Sequence, residues 1–279
     1  KGKINFSNDG IIKLGFENSR ITIESNNWQI AKGNYINYTD NLLLVNNFKA
    51  QKEDESIFIH GIISENHYDR LIVQLTNFDL KNLNTLTAKS NLSLKGQLAG
   101  DIHLSNLFST PYFISNLKIK DFYLEDIFWG DIGLISTYKP INKSINAELS
   151  LSFTGPAGVV EPLKIKGTYL TDRDTNNLDF VATLRNYNLR NIDPFLAGEL
   201  KVREGFATGN INITGSLKEP EFNGSINLLR TNVFVNYLNT SFFVTDSIHI
   251  NKNSFYANNM NLKDARGNNS RVNLNVRHQ

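Results

Sequence analysis

Residues 91–104, NLSLKGQLAGDIHL, place Leu92, Leu94, Gly96, Leu98, Gly100, Ile102 and Leu104 on one parity, and Asn91, Ser93, Lys95, Gln97, Asp101 and His103 on the other. Successive side chains of a β-strand point to opposite faces, so strict alternation predicts a strand with one apolar and one wet face. The same pattern runs through Ile57 and Ile59; Leu71, Val73 and Leu75; Leu117 and Ile119; Ile145, Ala147, Leu149, Leu151 and Phe153; Ile211 and Ile213; and Ile226 and Leu228. Only NLLLV at 41–45 and VFVNYL at 233–238 are apolar on both parities. Turn-forming clusters such as ENSR, SENHYDR, TDRDTNN and LKEPEFNG separate the runs. About 18 to 22 strands with an antiparallel, meander-like rhythm follow. The expected fold class is all-β, an elongated antiparallel sheet with one or two short helices.

The helical exceptions are NFDLKNLNTLTA (77–88) and NYNLRNIDPFLA (186–197). Each has an Asx-type cap followed by apolar residues at i, i+3, as in Leu80 and Leu83 or Leu189 and Ile192. They also stand in register with each other. Asn77 matches Asn186, Leu80 Leu189, Asn82 Asn191, Ala88 Ala197, Gly96 Gly205, Gly100 Gly209, Ile102 Ile211 and Pro111 Pro220, all 109 positions apart. The offset predicts two related units, about 60–168 and 169–277 of one continuous segment. Paired glycines on the apolar parity, Gly96 with Gly100 and Gly205 with Gly209, predict points where the sheet bends sharply or where another group comes close. The segment ELKVREG at 199–205 breaks the clean alternation seen in NLSLKG.

Composition excludes several functions. The chain has 29 basic and 27 acidic residues, net +2, and no basic cluster longer than two neighbours, so the electrostatic footprint of a nucleic-acid binder is missing. It has no cysteine, which removes disulfides, thiolate zinc sites and a cysteine nucleophile. Asparagine occurs 40 times, more than any chemical need demands. No run approaches 18 apolar residues, the length that would mark a spanning helix. The chain opens at Lys1 in the strand-like KINF and closes at SRVNLNVRHQ with alternation still running, so it reads as a slice of a longer protein.

No catalytic signature stands out. His60, His67, His103, His249 and His278 are scattered, and solvated strand faces are the expectation over a metal site. The acids Glu53–Glu55, Asp121, Glu125, Asp126 and Asp131, and Asp172 and Asp174 fall in turn-like segments, where solvation outweighs paired-carboxylate hydrolysis. TGPAGVV at 154–160 has no following lysine or helix and is no phosphate cradle. The expectation is no enzyme, no metal and no cofactor. The aromatics Trp28, Tyr35, Phe128, Trp129, Phe234, Tyr237, Phe242 and Phe243 are open to three readings: core, contacts for acyl chains, or sugar-stacking platforms.

Gly205, Gly209, Gly215-x4-Pro220 and Gly224, followed by Tyr237-Leu238-Asn239-Thr240 and the closing Leu262-Lys263-Asp264 and Gly267-Asn268, resemble the pattern of the TamB family of translocation and assembly module proteins, within the AsmA-like group. WQIAKGNYINY, IFIHGIISEN, FDLKNLNTL and FWGDIGLISTY extend the resemblance over nearly the whole chain. It implies a U-shaped β-taco with a continuous apolar groove. It also implies a periplasmic segment of a protein of the Gram-negative cell envelope, anchored in the inner membrane through a part outside this chain. The function implied is phospholipid transport between inner and outer membranes, resembling bridge-like lipid transfer proteins, with a role in outer-membrane protein biogenesis beside a BamA-like barrel.

A wall of about 20 strands spaced 4.8 Å apart would be on the order of 100 Å long. Its apolar face needs a cover, which a second sheet or lipid tails would provide equally. The expected lining residues are Leu94, Leu98, Ile102, Leu104, Leu149, Leu151, Phe153, Ile211, Ile213 and Ile226, with Gly96, Gly100, Gly205 and Gly209 as bend points. Two further readings remain: a scaffold whose open sheet edge assists outer-membrane strands by β-augmentation, and an extracellular carbohydrate-binding or adhesive β-sandwich using Trp28 or Trp129.

Overall fold

Alternating runs joined by short turns pair with their neighbours in sequence, because those are the strands a short connection can reach. The computed structural model describes residues 2–6, 11–23, 26–84, 93–156, 158–196, 198 and 200–277. Ala88, Asn91, Leu92, Ala197 and His278 lie outside the described residues. Twenty strands account for most of them, and the described strand pairs are antiparallel. No helix among the described residues is long and apolar enough to cross a membrane. The chain divides into two compact units, Lys1–Ala147 and Glu148–Gln279.

The first unit holds β1 (Gly2–Phe6), β2 (Ile12–Phe16), β3 (Ser19–Ile23), β4 (Asn26–Ile30), β5 (Asn34–Thr39), β6 (Leu42–Lys52), β7 (Glu55–Ile63), β8 (Leu71–Asp79), β9 (Leu94–Ser105), β10 (Tyr112–Leu124) and β11 (Ile127–Lys139). From β5 to β11 each strand pairs with the next. β1 joins through β2 to β5, and β3 joins through β4 to the far half of β6. The unit boundary falls within β12 (Ser144–Gly155). The second unit continues with β13 (Gly158–Leu170), β14 (Leu178–Asn188), β15 (Leu200–Gly215), β16 (Pro220–Val235), β17 (Thr240–Val244), β18 (Ser247–Asn251), β19 (Ser254–Asp264) and β20 (Asn269–Arg277). Strands β13 to β16 pair in order, β17 and β18 lie end to end between β16 and β19, and β20 pairs with β19.

The long strands are interrupted by residues in the left-handed region. Asn47, Asn77, Asp121, Asn186, Arg230 and Asn259 have φ of 51°, 46°, 51°, 50°, 48° and 53°, and each sits where the pairing register slips. Two residues there oppose one on the partner strand, a β-bulge that bends the strand and increases its twist. An extra residue also reverses the side-chain parity, and the sequence compensates. Apolar spacing changes from i, i+2 to i, i+3 across the bulge, as in Val45–Phe48, Leu75–Phe78, Ile119–Phe122, Leu184–Tyr187 and Ala257–Met260, so one face stays apolar along the bent strand. A side chain on the partner strand takes up the displaced N–H in three cases. Asp131 Oδ1 accepts from Asp121 N at 3.0 Å, Thr208 Oγ1 from Asn186 N at 3.1 Å, and Asn273 Oδ1 from Asn259 N at 2.9 Å.

The paired glycines do both things the sequence left open. Gly96 and Gly205 have φ of 141° and 148°, and they oppose the bulges at Asp121 and Arg230, themselves 109 residues apart. Gly100 and Gly209 are points of close approach, where an added Cβ would lie 2.1 Å from Asn116 O and 2.2 Å from Ser225 O. Among the described residues, which leave out positions 85–88 and 197, the two expected helical segments hold 3₁₀ turns, Leu80–Leu83 and Leu189–Phe195. Asp79 and Asn188 cap them, accepting from Lys81 N and Arg190 N at 3.0 Å each. Buried Glu55 secures the first turn, accepting from Asp79 N at 2.9 Å and Asn82 Nδ2 at 2.8 Å and pairing with Lys52 at 2.7 Å.

Gly209→Ala should destabilise the second unit by about 2 to 3 kcal/mol, because its Cβ has no free volume beside Ser225. Gly155→Ala, whose nearest contact is 4.0 Å away, should be near neutral in the same urea titration. Equal effects would contradict the close approach.

Candidate functional site

Directly opposed residues of an antiparallel pair share a face, so the register lists what each apolar face contains. In the first unit Ile59, Val73 and Ile102 form one row, and Ile57, Leu75, Gly100, Leu117 and Leu134 the next. Leu98, Ile119 and Ile132 follow, then Leu94 with Leu124. Leu104 pairs with Leu71 and Phe113. Leu94, Leu98 and Leu104, expected as lining residues on β9, therefore share a face with apolar partners on β10, whereas Ile102 faces Ser115 there and Val73 on β8. Ile132 and Leu134, which sequence reading missed, extend it onto β11. Their alternation is masked by Phe128, Trp129 and Ile135 on or near the same strand.

This face is closed at one end and open at the other. Val45, Ile63 and Leu71 are fully buried, Ile63 at 0% exposure, with Leu104 packed beside them. Strands β9, β10 and β11 run 12 to 13 residues each, yet their only fully buried residues are Ser105, Ser115 and Gly130. Leu94, Leu98, Ile102, Leu117, Ile119, Ile132 and Leu134 are all half-buried. β9 and β10 have neighbours on both sides. A second layer packed on such interior strands would take their side chains close to zero exposure.

The second unit repeats the contrast. Ile165, Ala182, Ile211, Gly224 and Ile250 form one row; Gly167, Phe180, Ile213 and Phe222 another; Leu163, Leu184, Gly209, Ile226 and Ile248 a third. Near the bulges the face is filled: Leu189, Val202, Ala207, Leu228, Val244, Ala257 and Met260 form a buried cluster, with Ile226 against its margin. Tyr187 is buried beside it, and burial pushes its phenol up to about 12. Away from the bulges Ile211, Ile213, Phe180 and Phe222 are half-buried, while Ala182 and Ile250 in the Ile211 row are buried. On β12, Leu149 and Phe153 are half-buried, whereas Leu151 is 2% exposed and offers no surface to a ligand.

The opposite parity carries charge. Lys164 Nζ lies 2.5 Å from Glu148 and Lys166 Nζ 3.4 Å, and the Lys164 hydrogen bond above all holds the Glu148 carboxyl below its usual range. Three of the acids singled out in the sequence hold backbone or lysine groups. Asp131 holds the Asp121 N–H, Glu125 accepts from Ser93 N at 2.6 Å, and Asp126 pairs with Lys95. Among the described residues no three acidic or histidine side chains converge as metal ligands would. His67 bridges two turns through Asn106 at 2.9 Å, and His249 stacks on Tyr256. The aromatics scatter. Trp28 is buried against Phe78, Tyr35 lies under Lys13, Phe128 packs on Tyr123 and Phe234 lies under Arg203. Phe243 and Tyr237 are exposed.

Comparison with protein-family models, curated proteins and solved structures gives no significant match. The geometry of the two faces therefore carries the functional argument.

Leu98→Ala should cost about 1 kcal/mol and Leu228→Ala about 3 kcal/mol in chemical denaturation, since only the second removes a fully enclosed side chain. Similar losses would mean that the β9–β11 face is covered.

Proposed function

We propose that the chain is a segment of a periplasm-spanning cell-envelope protein whose apolar sheet faces line a groove for phospholipid acyl chains moving between inner and outer membranes. In this reading it acts by shape and hydrophobicity, without catalysis, and supports outer-membrane protein biogenesis. The observation that carries it is the run of half-buried apolar residues on the interior strands β9 and β10 and the adjoining β11, matched by Ile211, Ile213, Phe180 and Phe222 in the second unit. Burying apolar surface stabilises by roughly 25 cal/mol per Å² whatever the apolar partner is, so lipid tails serve as well as a second sheet. Fixed polar contacts would trap a sliding lipid, and these rows offer almost none.

A second reading has one observation of its own. Among the described residues β20 pairs only with β19, which leaves its other backbone edge available to an added strand. A scaffold for outer-membrane strands, working with a BamA-like barrel, would use that edge and not the apolar rows.

Native mass spectrometry with lipid extraction, on protein purified from a bacterial envelope, separates the readings. Co-purified phospholipid is expected, and the double variant Leu98→Asp with Ile211→Asp should lose it while staying folded, because both side chains are half-exposed. A compact, lipid-free native protein would overturn the groove reading.

A further inference from the structure

One end of the second unit combines an apolar tip with cations that form no ion pair among the described residues. The β16–β17 turn projects Tyr237 and Leu238, which are 90% and 54% exposed. Asn236 anchors that turn by donating from Nδ2 to Gly198 O. The register brings Lys201 opposite Phe234, and Lys263 opposite Phe243, whose other neighbour is Asn232. Arg203 lies over the Phe234 ring at 4.6 Å, and Arg266 lines the same concavity of about 680 Å³ as Arg203, Phe234 and Phe243. Among the described residues none of these four cations is in an ion pair.

The acids at this end offset them only in part. Asp264 turns its carboxylate into its own loop, accepting from Arg266 N at 2.9 Å and from Asn268 N and Nδ2 at 2.8 Å each, and the Asn268 contacts hold it below the usual carboxylate range. Glu204 shares a face with Asn232, and Glu199 lies outside the described residues.

We propose that this end docks on an anionic phospholipid bilayer, with Tyr237 and Leu238 entering the interface and Lys201, Arg203, Lys263 and Arg266 meeting the headgroups. Tyrosine and leucine flanked by lysine and arginine match the layered chemistry of a bilayer surface, apolar below and anionic above. An isolated two-residue tip is a poor centre for a protein interface, which needs a contiguous patch with about 800 Å² buried per partner. A bilayer accepts single side chains one at a time. The proposal deepens the conduit reading, for which it supplies a point of contact with a membrane, and its observations concern different residues.

The chain has no cysteine, so Leu238→Cys accepts one environment-sensitive fluorophore at a defined place. The full chain is mixed with vesicles of phosphatidylcholine alone or with phosphatidylglycerol. The label should shift to the blue with the anionic vesicles and return when salt is raised. Arg203→Gln with Arg266→Gln should weaken anionic-vesicle binding by roughly tenfold or more. Lys201→Gln with Lys263→Gln should do the same without disturbing the Arg203–Phe234 contact. Co-sedimentation of the unlabelled chain should fall with Tyr237→Ser plus Leu238→Ser. A label that stays water-exposed on both vesicles, or binding indifferent to both cation pairs, would overturn the proposal. Lost docking with retained co-purified lipid would count against this proposal alone, and lost lipid with retained docking against the conduit reading alone.

Discussion

An apolar sheet face has to lie against something, and the arrangement of this chain follows from how much of that face its own residues cover. In the second unit the face closes on itself where the strands bend. Val202 and Val244 beyond the register slips meet Ala207 and Leu228 before them, and Leu189 of the 3₁₀ turn completes the cluster. Along the row of Leu98, Ile119 and Ile132, beside the bulges at Asn77 and Asp121, no comparable buried cluster forms among the described residues, and these side chains stay half-buried. The hydrophobic effect is indifferent to the chemical origin of the cover. A sheet that leaves interior strands half-covered is thereby suited to a partner made of hydrocarbon.

The bulges shape that face. Each reverses side-chain parity, and each is matched by a change to i, i+3 apolar spacing, so the bent strand keeps one continuous apolar side. Left-handed backbone costs a non-glycine residue about 1 kcal/mol or more, and the structure offsets that locally. Side chains of Thr208, Asp131 and Asn273 capture displaced N–H groups, while Gly96 and Gly205 relieve crowding opposite the bulges. The bulges at Asn77 and Asp121 are separated from those at Asn186 and Arg230 by the same 109 residues as the paired glycines.

Much of this was legible in the sequence because period-2 alternation is a direct image of the strand. The all-β antiparallel fold, the strand number, and the pairing of Leu98 and Ile102 in the first unit, and of Ile211 in the second, with apolar residues on their own faces all come from it. The bulges were not read. Asparagine tolerates the left-handed region, but with 40 asparagines in the chain that preference singles out no position. Arg230 gives no cue of its own. The informative signal was the i, i+3 step, which looks like the start of a helix; at Leu75–Phe78 and Leu184–Tyr187 it blends into the true 3₁₀ turns that follow. The break in ELKVREG has the same origin, since the register of β15 slips on either side of Glu204. Burial was less legible still. Leu149, Leu151 and Phe153 are equivalent by alternation, and only packing distinguishes the enclosed Leu151.

The central claim, that the open rows are covered by acyl chains, is tested most directly by a photo-crosslinking residue at Ile119, the middle of the Leu98–Ile119–Ile132 row. Irradiation in intact bacterial envelope, followed by mass analysis of the adduct, identifies what touches that row. The account predicts phospholipid adducts through the fatty-acyl chain. Adducts confined to protein, whether another part of this chain or a partner, would contradict it.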